Sequence, residues 1–506
     1  MKQQVEIMDT TLRDGEQTSG VSFSQNEKTT IARILLEEVR VDRLEVASAK
    51  VSEGEFNAVK RITGWAANHG FLEAIEVLGF IDGKISVDWI RDAGGKVLNL
   101  LAKGSLRHVT QQLRKTPEQH IADIKNTISY ANSQGIQVNI YLEDWSNGML
   151  NSPEYVFQIV EGLKDEPIKR FMLPDTLGVL NPDQTFDFCS QMVARYPDLH
   201  FDFHGHNDYD LAAANAFSAV KAGVSGLHGT VNGMGERAGN VSLSSLIGVL
   251  HDQLKVGTNL DESRITKVSK MVETFSGIRI PANKPLIGEF VFTQCAGIHA
   301  DGDNKDNLYY NDLLPERFGR TRSYALGKTS GKASIQKNLE ELGIDLDIES
   351  QKRVTQRIIE LGDKKERVTK EDLPYIIADV LESGEHGSNI EVMNYSLSLT
   401  YGLKPIANVK IRIYDKVYED NSAGDGQYDA FMKTVWKIYK RLKKEHPVLM
   451  DYSVSIPPGG MTDALVETTI LWSYNDREFK TRGLDVDQSE AAIKATIKML
   501  NLIETF

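Results

Sequence analysis

The stretch Phe201-Asp202-Phe203-His204-Gly205-His206-Asn207-Asp208 places two histidines two residues apart, where a short apolar run ends. Successive side chains of a β-strand point to opposite faces, so His204 and His206 leave the strand on the same side and can bind one metal ion together. Two surface histidines would show the same spacing, so a second motif has to decide between these interpretations.

The second motif lies near the N-terminus. Asp9-Thr10-Thr11-Leu12-Arg13-Asp14-Gly15-Glu16-Gln17 follows the apolar run 5–8, where a first strand would end. If both motifs end strands on one rim of a barrel, Asp14 adds a carboxylate to His204 and His206. Two imidazoles and a carboxylate leave coordination positions open for a substrate with adjacent carboxylate and ketone oxygens. We therefore predict a catalytic divalent metal, and these ligands admit Mn²⁺, Mg²⁺ or Zn²⁺.

From Val5 to about Leu254, short β-branched apolar runs alternate with longer amphipathic segments, which is typical of repeated βα units and a parallel sheet. The predicted strands are 6–9, 43–47, 75–80, 97–101, 137–142, 170–174, 201–204 and 226–230. The predicted helices include 24–38, 53–68, 117–133, 153–163, 182–195 and 211–222. Eight such units in about 250 residues favour an α/β fold of the (β/α)8 TIM-barrel type over an open sheet.

Polar clusters follow five of the predicted strands, at the face where barrel enzymes place their chemistry. They are Arg13 with Asp14, Glu143 with Asp144, Asp175 with Thr176, His204 with His206, and 232–240. Carboxylates in such loops also cap the following helix, and for Asp175 alone the two interpretations are balanced.

Length, charge and cysteine content limit the class of protein. A chain of 506 residues predicts two or more domains. The net charge of −13 gives no electrostatic reason to expect nucleic acid or an anionic membrane as a partner. The only cysteines, Cys189 and Cys295, predict reduced core thiols rather than a disulfide framework. Without a secretory signal or a long apolar run, we expect a cytoplasmic protein.

The regular alternation ends after the barrel. We expect residues 1–268 to form the catalytic barrel, 269–388 linker subdomains, and 389–506 a C-terminal α+β domain. In that last domain, strands are predicted at 395–400, 406–413, 449–456 and 465–472, and helices at 428–444 and 488–502. Two similar rounds of strands and a helix indicate a separate folding unit.

Together, these motifs resemble those of a known family, the isopropylmalate, homocitrate and citramalate synthases. The residues that carry the resemblance are 9–17, His204-Gly205-His206-Asn207-Asp208 and Asn232-Gly233-Met234-Gly235-Glu236-Arg237-Ala238-Gly239-Asn240, with 327–332 and 457–464 further along. The resemblance implies a homodimeric enzyme that condenses acetyl-CoA with a 2-oxo acid and releases CoA. It also implies that Asp14, His204 and His206 bind the metal, with Asn240 as a nearby fourth position.

Four residues are candidates for the chemistry. Arg13, beside a metal ligand, is placed to donate to the developing oxyanion, although a salt bridge across the barrel mouth would also explain it. Glu143 is the candidate for orienting or assisting proton transfer. The resemblance further implies that His299 and Tyr309, from the linker of a partner subunit, act as acid or base over the barrel mouth.

Side chains near the metal decide which 2-oxo acid fits. Leu78, Leu101 and Tyr141 end the third, fourth and fifth predicted strands, and Arg13 and Thr176 complete the predicted substrate pocket. The resemblance implies Leu, Leu and Tyr at these positions in citramalate synthases, and a His and a small residue in place of the first Leu and the Tyr in isopropylmalate synthases. We therefore expect pyruvate as substrate, giving (R)-citramalate for isoleucine synthesis. The alternative is 2-oxoisovalerate, giving 2-isopropylmalate for leucine synthesis.

The C-terminal domain is the expected site of feedback inhibition. Glycines at a helix start expose backbone N–H groups that can bind a carboxylate. The predicted regulatory residues are Gly424, Asp425, Gly426, Tyr428, Asp429, Pro458, Gly459 and Asp463. The resemblance implies isoleucine as the bound amino acid, with leucine as the alternative, and a plain dimerisation domain would also fit the sequence.

Two functions of other classes stay open. A metal-dependent lyase or aldolase of the same superfamily would share Arg13, Asp14 and the histidine pair, and CoA release distinguishes it. A non-catalytic amino-acid sensor would be expected to have lost barrel ligands, and none is lost in this sequence.

Overall fold

The computed structural model describes residues 4–295, 302, 311–363, 368, 370–381, 389–455, 466–475 and 477–504. The described residues of Met1–Thr293 and Asn311–Arg322 form one compact unit, and those of Gln294–Tyr310 and Ser323–Phe506 form a second. The first unit holds both motifs that are predicted to bind a metal ion.

Eight parallel strands in chain order close into a barrel, because β1 pairs with β8 as well as with β2. The strands are β1 (Glu6–Asp9), β2 (Arg43–Ser48), β3 (Ile75–Phe80), β4 (Val97–Lys103), β5 (Gln137–Glu143), β6 (Ile168–Asp175), β7 (Phe201–Gly205) and β8 (Gly226–Gly229). The predicted TIM barrel is confirmed, and each predicted strand lies within two residues of the observed one at either end.

Helices cover the outside of the barrel. They are α1 (Gln25–Arg33), α2 (Glu53–His69), α3 (Ile85–Asp92), α4 (Pro117–Ser133), α5 (Trp145–Asn151), α6 (Pro153–Leu163), α7 (Pro182–Arg195), α8 (Ala212–Lys221), α9 (Leu243–Ile247) and α10 (Ile265–Ser276). α4, α6 and α7 begin with Pro, whose fixed φ suits the first helical position, and they match the prediction residue for residue. The predicted helix 24–38 ends as a π-helical turn, Ile34–Val39.

The main apolar core lies between the strands and these helices, and it includes Ile265, Val268 and Val272 of α10. The barrel interior is different, because charged side chains project into it. Arg43 and Glu45 of β2 are both buried there. A small apolar cluster of Met8, Leu78, Tyr141 and Met172, with Leu101 packed against it, fills the interior below the two metal-binding motifs.

The second unit contains a helical part and two sheets. The remaining elements are β9 (Thr293–Gln294), β10 (Ser323–Tyr324), α11 (Lys332–Leu342), α12 (Ile348–Asp363), α13 (Leu373–Leu381), β11 (Ile390–Ser398), β12 (Ile406–Ile413), β13 (Lys416–Ala423), α14 (Gln427–Arg441), β14 (Val448–Ser455), β15 (Val466–Tyr474), β16 (Arg477–Asp485) and α15 (Gln488–Ile503). β11 to β13 and β14 to β16 form two antiparallel three-stranded sheets that share one core with α14 and α15. The repeated α+β pattern is confirmed, but β13 and β16 were not predicted.

Two further expectations were tested by the fold. Cys189 is buried in α7 as predicted, whereas Cys295 is exposed, so the prediction of a core thiol there is wrong. Within the described part of the chain, every helix is too short or too polar to cross a lipid bilayer.

Candidate active site

The two histidines and the first-loop carboxylate meet at the carboxyl end of the barrel strands. Oδ2 of Asp14 lies 3.2 Å from Nε2 of His204 and 3.7 Å from Nε2 of His206. The two Nε2 atoms are 3.4 Å apart. Among the described residues, these three side chains form the one cluster of His, Cys, Asp and Glu that could hold a metal ion. The structure therefore brings the predicted ligands together.

Unsatisfied buried atoms show that the residues suit a cation. Oδ1 of Asp14 and Oδ1 of Asn240 are buried and have no hydrogen-bond partner in the described part of the chain. Such atoms are costly in a folded protein unless a cation or water satisfies them. Asn240 reaches the site because its backbone bridges that of His206, while its amide donates to the carbonyl of Met234. Asn240 is thus adjacent to the three predicted ligands, as expected.

A glycine allows these groups to approach one another. Gly235 has a φ of 150°, and a Cβ there would lie 3.2 Å from Oδ1 of Asp14 and 2.3 Å from the amide nitrogen of Asn240. A larger residue would push the carboxylate and the amide apart. The stretch Asn232 to Asn240 therefore places Asn240 while leaving the metal position open.

The protonation states favour metal binding. Burial lowers the pKa of His206 to about 4 and also lowers that of His204, so both imidazoles are neutral near pH 7. Burial opposes ionisation of Asp14, yet Arg13 and His204 hold the pKa of that carboxyl well below its usual range. Neutral imidazoles and an ionised carboxylate are the forms that bind a divalent cation.

Arg13 is fixed between two carboxylates. Its Nη1 lies 3.1 Å from Oδ2 of Asp14, and its Nε donates to Oε2 of Glu45 at 2.6 Å. Glu45 is fully buried and also accepts hydrogen bonds from Thr10 and Asn99. Sequence reasoning missed Glu45, because it lies within a strand and its partners come from the loop after β1 and from β4.

Glu143 reaches the rim at the end of β5 and forms a salt bridge with Lys103 at the end of β4. Its side chain is 26% exposed, so it contacts both solvent and the pocket. Lys103 was not predicted, although it ends the observed strand β4 just as Glu143 ends β5. The salt bridge fixes where the Glu143 carboxylate can point.

A cavity of about 220 Å³ is lined in part by the three predicted metal ligands. Its lining includes Arg13, Asp14, Gln17, Ser48, Leu78, Phe80, Leu101, Tyr141, Glu143, Pro174, Thr176, His204, His206 and Glu236. All five predicted substrate-binding residues are in this set. Leu78 and Tyr141 are nearly buried and pack against each other on the apolar side of the cavity.

The neighbouring pair, Asp175 and Thr176, divides into two roles. The Asp175 carboxylate accepts backbone N–H bonds from Val179 and Leu180, so it caps its own loop. Oγ1 of Thr176 accepts from the backbone N–H of Asp144 at 2.9 Å, which leaves the hydroxyl proton free for another acceptor. Asp175 does not cap α7, because the Asn181 side chain accepts the backbone N–H of Gln184 there. The contacts of Asp175 instead support a role in holding its own loop.

Some predicted residues lie outside this site. His299 and Tyr309 are outside the described residues, as are Pro458, Gly459 and Asp463. In the second unit, α14 begins at Gln427 directly after Gly426. The backbone N–H of Asp425 donates to the Asp429 carboxylate. Tyr428 packs against Tyr452, and its hydroxyl contacts Thr496.

The fold and the site together define a TIM-barrel protein with a candidate divalent metal centre at its catalytic rim. The HMGL-like family model matches residues 4–272, and the chain belongs to that family. The model of the homocitrate synthase post-HMGL domain matches residues 286–366, and that of the LeuA allosteric (dimerisation) domain matches 367–504.

Several relatives match almost the whole chain. A protein of Methanopyrus kandleri, provisionally named (R)-citramalate synthase CimA, is 34% identical over 92% of this chain and 90% of its own. A protein of Archaeoglobus fulgidus with the same provisional name is 32% identical over 99% of this chain and 100% of its own. The 2-isopropylmalate synthase of Methanocaldococcus jannaschii is 31% identical over 99% of this chain and 94% of its own.

Proposed function

We propose that this chain condenses acetyl-CoA with pyruvate to give (R)-citramalate and CoA. The observation that carries the proposal is the cavity, which Leu78 and Tyr141 line together with Asp14, His204 and His206. A branched 2-oxo acid would need that volume for its extra methyl groups. The provisional names of two relatives agree with this choice.

Asp14, His204 and His206 would hold the divalent ion, with Asn240 beside them. When bound, the ion supplies a Lewis acid that polarises the ketone and stabilises negative charge on its oxygen. The Arg13 guanidinium, fixed by Glu45, directs N–H groups at the same oxygen. The Thr176 hydroxyl has its proton free to donate to the substrate carboxylate.

Proton transfer is assigned to Glu143 and to residues of a partner subunit. Glu143 removes or orients the proton of the acetyl methyl group, and its salt bridge with Lys103 keeps the carboxylate at the rim. His299 and Tyr309 act in trans as acid or base. This assignment makes the homodimer the active form, and the LeuA dimerisation match supports a dimer.

CoA release with two oxo acids tests the proposal. Thiol release from acetyl-CoA is followed with pyruvate and with 2-oxoisovalerate, in the presence of Mg²⁺, Mn²⁺ or Zn²⁺ in turn. We expect a higher kcat/KM with pyruvate, by roughly 10-fold or more for the additional methyl groups. A preference for 2-oxoisovalerate would favour the 2-isopropylmalate synthase alternative, which the relative from M. jannaschii supports. Absence of CoA release with every oxo acid would favour a lyase or aldolase.

The C-terminal residues 389–506 are assigned to feedback control, downstream of the barrel of residues 1–268 and a linker of 269–388. Gly424, Gly426 and Asp429 surround the start of α14, and with Pro458, Gly459 and Asp463 they are the residues proposed to bind isoleucine. Leucine is the alternative ligand. If saturating isoleucine and saturating leucine both leave the kinetics unchanged, the C-terminal domain serves dimerisation only.

A further inference from the structure

A buried chain of hydrogen bonds runs from the cavity into the barrel. The Tyr141 hydroxyl lies 3.1 Å from Nδ1 of His228, and Nε2 of the same imidazole lies 3.0 Å from Oδ2 of Asp202. The other side of the Tyr141 oxygen faces Nη2 of Arg13 at 3.5 Å. Tyr141, His228 and Asp202 come from β5, β8 and β7, and all three are nearly or fully buried.

Asp202 is held firmly at the far end of this chain. One carboxylate oxygen contacts Arg43, and the other lies 2.8 Å from Nε2 of His200. A Cβ at Gly226 would lie 2.0 Å from Oδ1 of Asp202, so only glycine at that position leaves room for the carboxylate. The Arg43 guanidinium has only N–H donors, so the Asp202 carboxylate faces it as an acceptor.

The Asp202 carboxylate sets the direction of both hydrogen bonds that link it, through His228, to Tyr141. Because the Asp202 carboxylate can only accept, Nε2 of His228 carries the proton and donates it. Of the two groups within hydrogen-bond distance of the phenol oxygen, Arg13 can only donate, so the Tyr141 O–H donates to the lone pair on Nδ1 of His228. The phenol proton is therefore directed away from the cavity, and the phenol oxygen presents its lone pairs towards Arg13.

This direction affects how a 2-oxo acid can lie in the cavity. Its carboxylate and ketone oxygens are acceptors, so they gain nothing from a phenol oxygen whose only proton is already donated. They turn instead towards Arg13 and the metal ligands. The alkyl group is left against the Tyr141 ring and Leu78, which are the apolar wall of the cavity.

We propose that His228 and Asp202 are positioning residues that act through Tyr141 to orient the 2-oxo acid and to restrict its alkyl group. This inference rests on the proposed function, because it assumes a 2-oxo acid in the cavity. In this arrangement, His228 and Asp202 contact neither the substrate nor the metal. They determine only that the phenol oxygen offers lone pairs, and no proton, to the cavity.

A double-mutant cycle tests the inference. The ratio of kcat/KM for pyruvate to that for 2-oxobutanoate is measured in wild type, Tyr141→Phe, His228→Gln and the double variant. The ratio does not depend on the fraction of active protein, so a general loss of folded enzyme leaves it unchanged. We expect each single variant to lower it about fivefold, mainly by raising KM for pyruvate, and the double variant to equal either one.

His251→Gln is the matched control, because His251 is hydrogen-bonded to Glu262 and Thr258 and takes no part in the cavity lining. Its ratio should match wild type. An unchanged kcat/KM ratio in Tyr141→Phe overturns the inference, even if His228→Gln does not fold. The inference is also overturned if the changes of the ratio in the two single variants multiply in the double variant. Wild-type enzyme that turns over neither acid contradicts the proposed function instead. Calorimetric titration of the variants with pyruvate, without acetyl-CoA, should show the same loss of binding.

Discussion

Nε of Arg13 lies 2.6 Å from Oε2 of Glu45, and this buried contact sets the direction of the guanidinium beside the cluster of Asp14, His204 and His206. Glu45 is itself held by Thr10 and Asn99, so it cannot follow Arg13 if the arginine moves. The remaining N–H groups of Arg13 face Asp14 and Tyr141. Arg13 is therefore oriented before any substrate binds.

Replacing Glu45 by Gln should disorient Arg13 without emptying the site. A charge-assisted hydrogen bond contributes about 1.5–3 kcal/mol, so we expect kcat/KM for pyruvate to fall roughly 10- to 150-fold. Steady-state CoA release measures this. Glu37→Gln is the control, since Glu37 pairs with Arg33 on the surface and should leave kinetics unchanged. Wild-type kinetics in Glu45→Gln would show that Asp14 alone orients Arg13.

Glu143→Gln should remove the proposed proton transfer. We expect kcat to fall about 10²- to 10⁴-fold, with little change in pyruvate binding. Lys103→Met should lower kcat less, because it releases the carboxylate without deleting it. Glu166→Gln is the matched control, because Glu166 is also 26% exposed and also paired with a lysine, Lys125. Turnover at the wild-type rate in Glu143→Gln removes this residue from the mechanism.

Shortening Leu78 should enlarge the apolar side of the cavity. In Leu78→Ala, we expect kcat/KM for 2-oxobutanoate to rise relative to pyruvate by about 10-fold or more, from about 1–3 kcal/mol of added apolar contact. Val77→Ala is the control, since Val77 precedes it on β3 and its side chain points to the opposite face. If both variants change the ratio equally, core loosening rather than cavity volume is responsible.

The barrel and the cluster of Asp14, His204 and His206 could be predicted because both depend on local patterns. Apolar runs locate the strands, and polar residues just after them, such as Asp14 and His206, must share one rim. Glu45, Asp202 and His228 could not be found in this way. They lie within strands, and their partners come from other strands whose register the sequence does not state.

The two missed strands show a different limit. β13 contains Lys416, Glu419 and Asp420, and its residues alternate between exposed and only half-buried. A strand that buries little carries no clear apolar alternation. Its position follows from pairing with β12, a contact that forms only in the folded domain.

Acid should weaken the fold through His120, a buried residue of α4. Its Nε2 accepts the backbone N–H of Lys103, and burial lowers its pKa from 6.5 to about 4. Between these values the unfolded chain binds a proton that the folded chain does not. Stability is therefore complete above about pH 6.5 and decreases as the pH falls, by about 2 kcal/mol at pH 5.

Urea unfolding of metal-free protein at pH 7.5 and pH 5 measures this effect. His120→Gln keeps a hydrogen-bond acceptor but does not titrate, so its loss of stability at pH 5 should be smaller by about 2 kcal/mol. His69→Gln, an exposed histidine on α2, should behave as wild type. Equal pH dependence in wild type and His120→Gln would contradict the assignment.

The metal content of purified His204→Ala tests the central claim most directly. Wild type, His204→Ala and the surface control His69→Ala are dialysed against the same buffered divalent metal, and metal per chain is measured by mass spectrometry alongside CoA release with pyruvate. If the ligands are Asp14, His204 and His206, we expect about one ion per chain in wild type and in the control. We expect below about 0.1 ion per chain, with loss of turnover, in His204→Ala. A His204→Ala protein that retains both the ion and normal turnover would contradict the account.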